Sequence, residues 1–141
     1  MTVRKGFEGI AYYGTAGSTA STQLTNCRDI TYNTDAEFGD TTVRGDGSAV
    51  PIQTQSKTLR TQSIEITMLH DDTDTAFQAM ETAAAGSDPV AIRTKSYASG
   101  KGYDGDCHLA SSKPYPMNGE QVITFTCTPT RDGGRMPQPW V

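Results

Sequence analysis

Alternation with a period of two dominates this chain. Its clearest run lies at residues 58–69, where Ile64, Ile66 and Met68 alternate with Ser63, Glu65 and Thr67, as in a strand with one face on a core. Residues 6–14 carry a first strand, with Ile10 and Tyr12 on one face and Phe7, Ala11 and Tyr13 on the other. A small, polar loop over 14–25 leads to a second strand at 24–33, with Ile30 and Tyr32 on one face. After residue 69 the period changes. Asp71, Asp72 and Asp74 supply capping side chains, Phe77, Met80 and Ala84 follow at helical spacing, and Gly86 with Pro89 ends the run. This predicts one amphipathic helix over 73–85, with Phe77 and Met80 turned to the core. Further strands follow at 90–94, at 107–110 with Cys107 and Leu109 inward, and at 121–128 with Ile123, Phe125 and Cys127 on one face. Glycine-rich turn material separates the first two (96–106), and Asn118-Gly119 marks a turn before the last. The tail, 129–141, contains Pro137, Pro139 and Trp140 and cannot be helical.

The stretch 33–57 fits neither period. It holds Gly39, Gly45, Gly47 and Pro51, with Phe38, Val43, Val50 and Ile52 thinly scattered. A loop of that length inside a domain needs a reason. Four scattered apolar side chains do not offset the entropy of ordering it, roughly 1–2 kcal/mol per residue, so a neighbouring surface is expected to supply the missing burial. The sum is a single, mainly β domain over 1–141: a β-sandwich or squat β-barrel with one flanking α-helix and a long inter-strand loop.

Composition narrows the function. Only 35% of the 141 residues are hydrophobic and the net charge is −4. An acidic chain without a basic cluster does not grip nucleic acid. No apolar run is long enough for a membrane span, and the start Met1-Thr2-Val3-Arg4-Lys5-Gly6 has no apolar stretch behind it, so no secretory signal is expected. Cys27, Cys107 and Cys127 are too widely spaced for a disulfide framework and are expected as reduced thiols.

No chemistry emerges from the motifs. The Asp71–Asp74 group lacks calcium-loop spacing and is explained by helix capping. Around Tyr103-Asp104-Gly105-Asp106-Cys107-His108, adjacent Cys and His on a strand point to opposite faces, which does not make a zinc site. Gly100-Lys101-Gly102 is not a phosphate loop. A cysteine–histidine pair of Cys27 or Cys127 with His70 can be drawn, but the alternation around Cys127 marks a buried thiol. No catalytic residue, metal or cofactor is expected.

Three features together resemble the tail tube proteins of long-tailed bacteriophages. These are the order strand, strand, long loop, strand, helix, strands; the loop text Asp35-Ala36-Glu37-Phe38-Gly39-Asp40-Thr41-Thr42-Val43-Arg44; and the passage Ser63-Ile64-Glu65-Ile66-Thr67-Met68-Leu69 followed by Asp-rich capping, Phe77 and an alanine-rich helix. The inner tubes of contractile injection systems are related. The resemblance implies a β-sandwich-like subunit that self-assembles into hexameric rings stacked as a hollow tube, with other tail proteins at its ends and DNA passing without specific binding. It implies a virion product made in the host bacterial cytoplasm. It also implies that the loop reaches a neighbouring subunit or ring, with Glu37, Thr42 and Arg44 as matched positions. Phe38, Val43, Val50 and Ile52 join them as interface residues, and Trp140, in an ending similar to the family's, is a further one. A secreted β-sandwich binding or adhesion module is the alternative, and a cysteine hydrolase a third reading.

Overall fold

A computed structural model describes residues 1–141. The chain forms two compact units, Met1–Tyr32 with Ser63–Val141 and the intervening Asn33–Gln62. After a single 3-10 turn (Gly6–Glu8) come β1 (Ile10–Thr15), β2 (Thr22–Gln23), β3 (Cys27–Asp40), β4 (Gln55–Leu69), α1 (Thr75–Ala85), β5 (Val90–Lys95), β6 (Asp104–Ser112) and β7 (Val122–Thr130). The strands form one seven-stranded sheet in the order β2-β1-β5-β6-β7-β4-β3. It ends on β2 and β3 without closing, which matches a sandwich-like fold rather than a closed barrel.

Within the larger unit, register aligns the apolar phases. Ile64, Ile66 and Met68 of β4 stand opposite Cys127, Phe125 and Ile123 of β7. Leu109 of β6 faces Cys127 from the other side, and Ile92 of β5 faces Tyr13 of β1. Directly opposed residues share a sheet face, so these side chains make one continuous apolar surface. Helix α1 covers it with Ala76, Phe77 and Met80, all buried. Phe77 meets Phe125 edge-on at a centroid distance of 6.2 Å. The Asp74 carboxylate caps the helix by accepting from the Ala76 N–H at 3.2 Å. The opposite face carries hydroxyls, with Thr67 and Thr124 oxygens 3.2 Å apart across β4 and β7.

Several boundaries differ from expectation. Phe7, expected in the first strand, lies in the 3-10 turn and is 86% exposed; Gly6 and Gly9 around it weaken strand propensity. The loop 14–25 contains the short β2 and returns Ala20 and Leu24 to the core. The turn material of 96–106 ends early: Tyr103 is buried and β6 begins at Asp104. Glycine explains this, because Gly102 sits against the Thr94 carbonyl where any Cβ would collide. The largest difference is at 33–57. Most of its flanks are strand, since β3 continues to Asp40 and β4 begins at Gln55, leaving residues 41–54 as the true connection.

Candidate assembly surface

The unit Asn33–Gln62 is a two-stranded hairpin. The Thr41 N–H donates to the Thr54 carbonyl at 3.0 Å, and the Thr58 hydroxyl donates to the Glu37 carbonyl at 3.1 Å. Positions rise on one strand as they fall on the other, which is antiparallel pairing. Gly39 belongs there because a Cβ would press on the Thr58 methyl group at 3.0 Å. Alternation in this register places Ala36, Phe38 and Leu59 on one face and Glu37, Thr41, Thr54 and Thr58 on the other.

Short polar side chains tie the connection. The Thr42 N–H donates to Asp40 Oδ1 at 2.9 Å, and the Thr54 N–H donates to Thr42 Oγ1 at 3.0 Å. The Asp46 carboxylate accepts from the Ser48 and Ile52 N–H groups, both at 2.8 Å. These bonds hold its pKa below the ordinary carboxylate value, the Ile52 N–H contributing most. Gly47, at φ +89°, supplies the left-handed residue that the turn requires.

The interface residues expected from the sequence are therefore brought together in this one unit, except Trp140. Thr42 closes the turn, while Glu37, Phe38, Val43, Arg44, Val50 and Ile52 are all exposed. Arg44 makes no hydrogen bond or ion pair within the chain. Phe38, Val43, Val50 and Ile52 are 56–78% exposed, and Leu59 joins them at 52%. Sequence reasoning misses Leu59 because it falls within the core strand expected at 58–69. Its odd position, out of phase with Ile64, Ile66 and Met68, was the signal available. Trp140 lies in the larger unit. Its ring meets Tyr32 edge-on at 6.5 Å, and Val141 exchanges backbone hydrogen bonds with Gly102 at 2.8 and 3.2 Å. More than half of Trp140 stays exposed.

The groups considered for chemistry have other occupations. Burial pushes the Cys27 thiol up to about 11 and the Cys107 thiol up to about 12, and raises Cys127 as well. None of these is a ready thiolate at neutral pH. His70 stacks on Phe77 and pairs with Asp72 at 2.9 Å, and His108 pairs with Asp132 at 2.7 Å. The cluster that sequence reasoning missed is structural. Asp106, fully buried, accepts from Arg135 Nε at 3.0 Å and from the Gly17 N–H at 3.0 Å. Arg135 also reaches Asp104 at 3.0 Å. The segment from Arg131 onward is thereby fastened to β6, and Gln138 pairs with Asp104 through backbone bonds of 2.8 and 3.0 Å.

Neither a family model nor a curated protein sequence matches this chain. Solved structures do. The fold is similar to a chain in the tail of an empty gene transfer agent (GTA) particle, refined helically with C6 symmetry, at a TM-score of 0.72, 15% identity and coverage of 97% of this chain and 98% of that one. A chain in the virion of a native gene transfer agent particle is similar at a TM-score of 0.67, 13% identity and 99% coverage of both chains. The SPP1 tail tube, determined by solid-state NMR and cryo-EM, is similar at a TM-score of 0.66 and 10% identity over 89% of this chain and 75% of that one. The likeness thus extends over nearly the whole chain, and what it establishes is a shared fold.

Proposed function

We propose that this chain is the structural subunit of a phage-type tail tube: copies associate into rings, the rings stack, and the hairpin Asn33–Gln62 joins one copy to the next. The observation that carries this reading is the hairpin's exposed apolar face. An isolated two-stranded hairpin is marginal in water, and burying side chains such as Phe38 and Leu59 is worth about 1.5–3 kcal/mol each. The hairpin cannot bury them among its own residues. A second copy can.

The edges of the sheet support the same reading. β3, 14 residues long, ends the sheet on one side, and the two-residue β2 ends it on the other. These edges differ in sequence, so pairing between copies is head-to-tail and closes into a ring when the rotation allows. Six copies per ring is the number suggested by the C6 symmetry of the similar GTA tail. In such a tube the net negative charge of the chain lets DNA pass without being held. Other tail proteins would cap the ends, and the product would be made in the host cytoplasm and reside in the virion.

The test replaces residues 41–54 with a tight Asn-Gly turn, which preserves strand pairing and removes Val43, Arg44, Val50 and Ile52. The variant is expected to keep the thermal unfolding midpoint of the larger unit and to stay monomeric in sedimentation under conditions where the wild type polymerises. Unimpaired polymerisation of this variant would remove residues 41–54 from assembly.

A further inference from the structure

Resting on that reading, we propose where the hairpin tip lands: in a groove of a second copy at the end of the sheet where β4 stops and β7 starts, with Arg44 set against Glu120. The groove has a volume of about 490 Å³ and is lined by Asn26, Leu69, His70, Asp71, Glu120 and Gln121. It adjoins a second hollow that shares Asn26, Leu69 and Glu120 and extends to Arg28. Leu69 gives the floor an apolar, half-buried element.

Charge identifies the occupant. Most polar groups along the groove are already satisfied: Asn26 donates to Asp74 at 2.9 Å, His70 pairs with Asp72, and Asp71 accepts from the Thr73 hydroxyl at 2.6 Å. Glu120 and Arg28 are exposed and have no partner in the chain. The tip offers the matching set. Arg44 is likewise exposed and without a partner. Two positions away, Asp46 is held anionic by its backbone N–H donors. With Arg44 on Glu120, Asp46 is directed to the Arg28 end; the reverse orientation would oppose like charges at both ends. The exposed Val43, Val50 and Ile52 of the tip then have Leu69 to cover. A complementary pair fixes register as well as contributing affinity.

The experiment measures the critical concentration for assembly of the wild type, Arg44→Glu, Glu120→Arg, the double variant on one chain, and an equimolar mixture of the two single variants. Each single variant places like charges together and is expected to raise the critical concentration about tenfold. The double variant and the mixture restore opposite charges and are expected to return within about twofold of the wild type. Rescue in the mixture also shows that tip and groove belong to different copies. Both side chains are exposed, so unchanged thermal unfolding of each variant excludes a folding defect. If the wild type assembles while the double variant and the mixture remain as impaired as the singles, this contact is overturned and the tube reading stands. If Glu120→Arg assembles normally while Arg44→Glu does not, the tip docks elsewhere and the contact is likewise overturned. A wild type that never associates removes both.

Discussion

At the scale of single residues, the sharpest stability constraint is Asp106. It is a fully buried carboxylate, and Arg135 is the cation that meets it. Removing one partner of a buried ion pair leaves an uncompensated charge and costs about 3–5 kcal/mol. Arg135→Met is therefore expected to lower unfolding free energy by an amount in that range, measured by urea denaturation; a loss well under 1 kcal/mol would show that the cluster does not hold the tail. No sequence pattern announced this pair, because its members sit on a strand and in a proline- and glycine-rich tail, and only the folding back of that tail joins them. The thiols, in contrast, were legible from alternation. Cys107 and Cys127 lie in phase with Leu109 and Phe125, and both are buried. Burial raises the thiol pKa of Cys27 to about 11 and of Cys107 to about 12, against an ordinary 9.0. The neutral form is thus favoured by the fold, and its contribution to stability is complete below the unfolded-state value and is lost as pH rises through the folded ones. Stability measured by denaturant should fall between about pH 9 and about pH 12, while thiolate absorbance stays low in the native protein over the lower part of that range and rises fully on unfolding. A native thiol titrating near neutrality would contradict this.

At the scale of elements, α1 and the central strands were readable because their apolar spacing matches one period throughout. Asp74 caps the helix as its position before the Phe77-Met80 stripe indicated, and Ile64, Ile66 and Met68 are buried as their alternation required. The stretch 33–57 was not readable as strand for a physical reason. A hairpin exposed on both faces has no burial pattern to impose alternation, so glycines and scattered apolar residues look like a loop. The exposure of Phe38, Val43, Val50 and Ile52 was easier to read than the strand structure, because so thin a scatter of apolar residues has little to bury against in either conformation. Hydrogen exchange follows from the same argument. In dilute monomer the amides of 33–62 should exchange faster than those of β4 beyond Ser63, since their hydrogen bonds lie among exposed residues. In assembled material the hairpin amides should become protected. Equal protection in both states would mean that the hairpin gains nothing from a neighbour.

At the scale of the whole molecule, an open sheet with two unlike edges and a hairpin whose apolar side chains find no cover among its own residues describe a chain suited to head-to-tail association. The chain shares its fold with chains of GTA tails and of the SPP1 tail tube, and the association proposed for it is a stack of rings around a channel. Electron microscopy of the purified wild-type protein, imaged across rising concentration, tests this most directly. Hollow tubes with a regular axial repeat are expected to appear above a threshold concentration, built from rings resolvable in end-on views. A protein that remains a monodisperse monomer at high concentration, with no rings or tubes in any field, would contradict it.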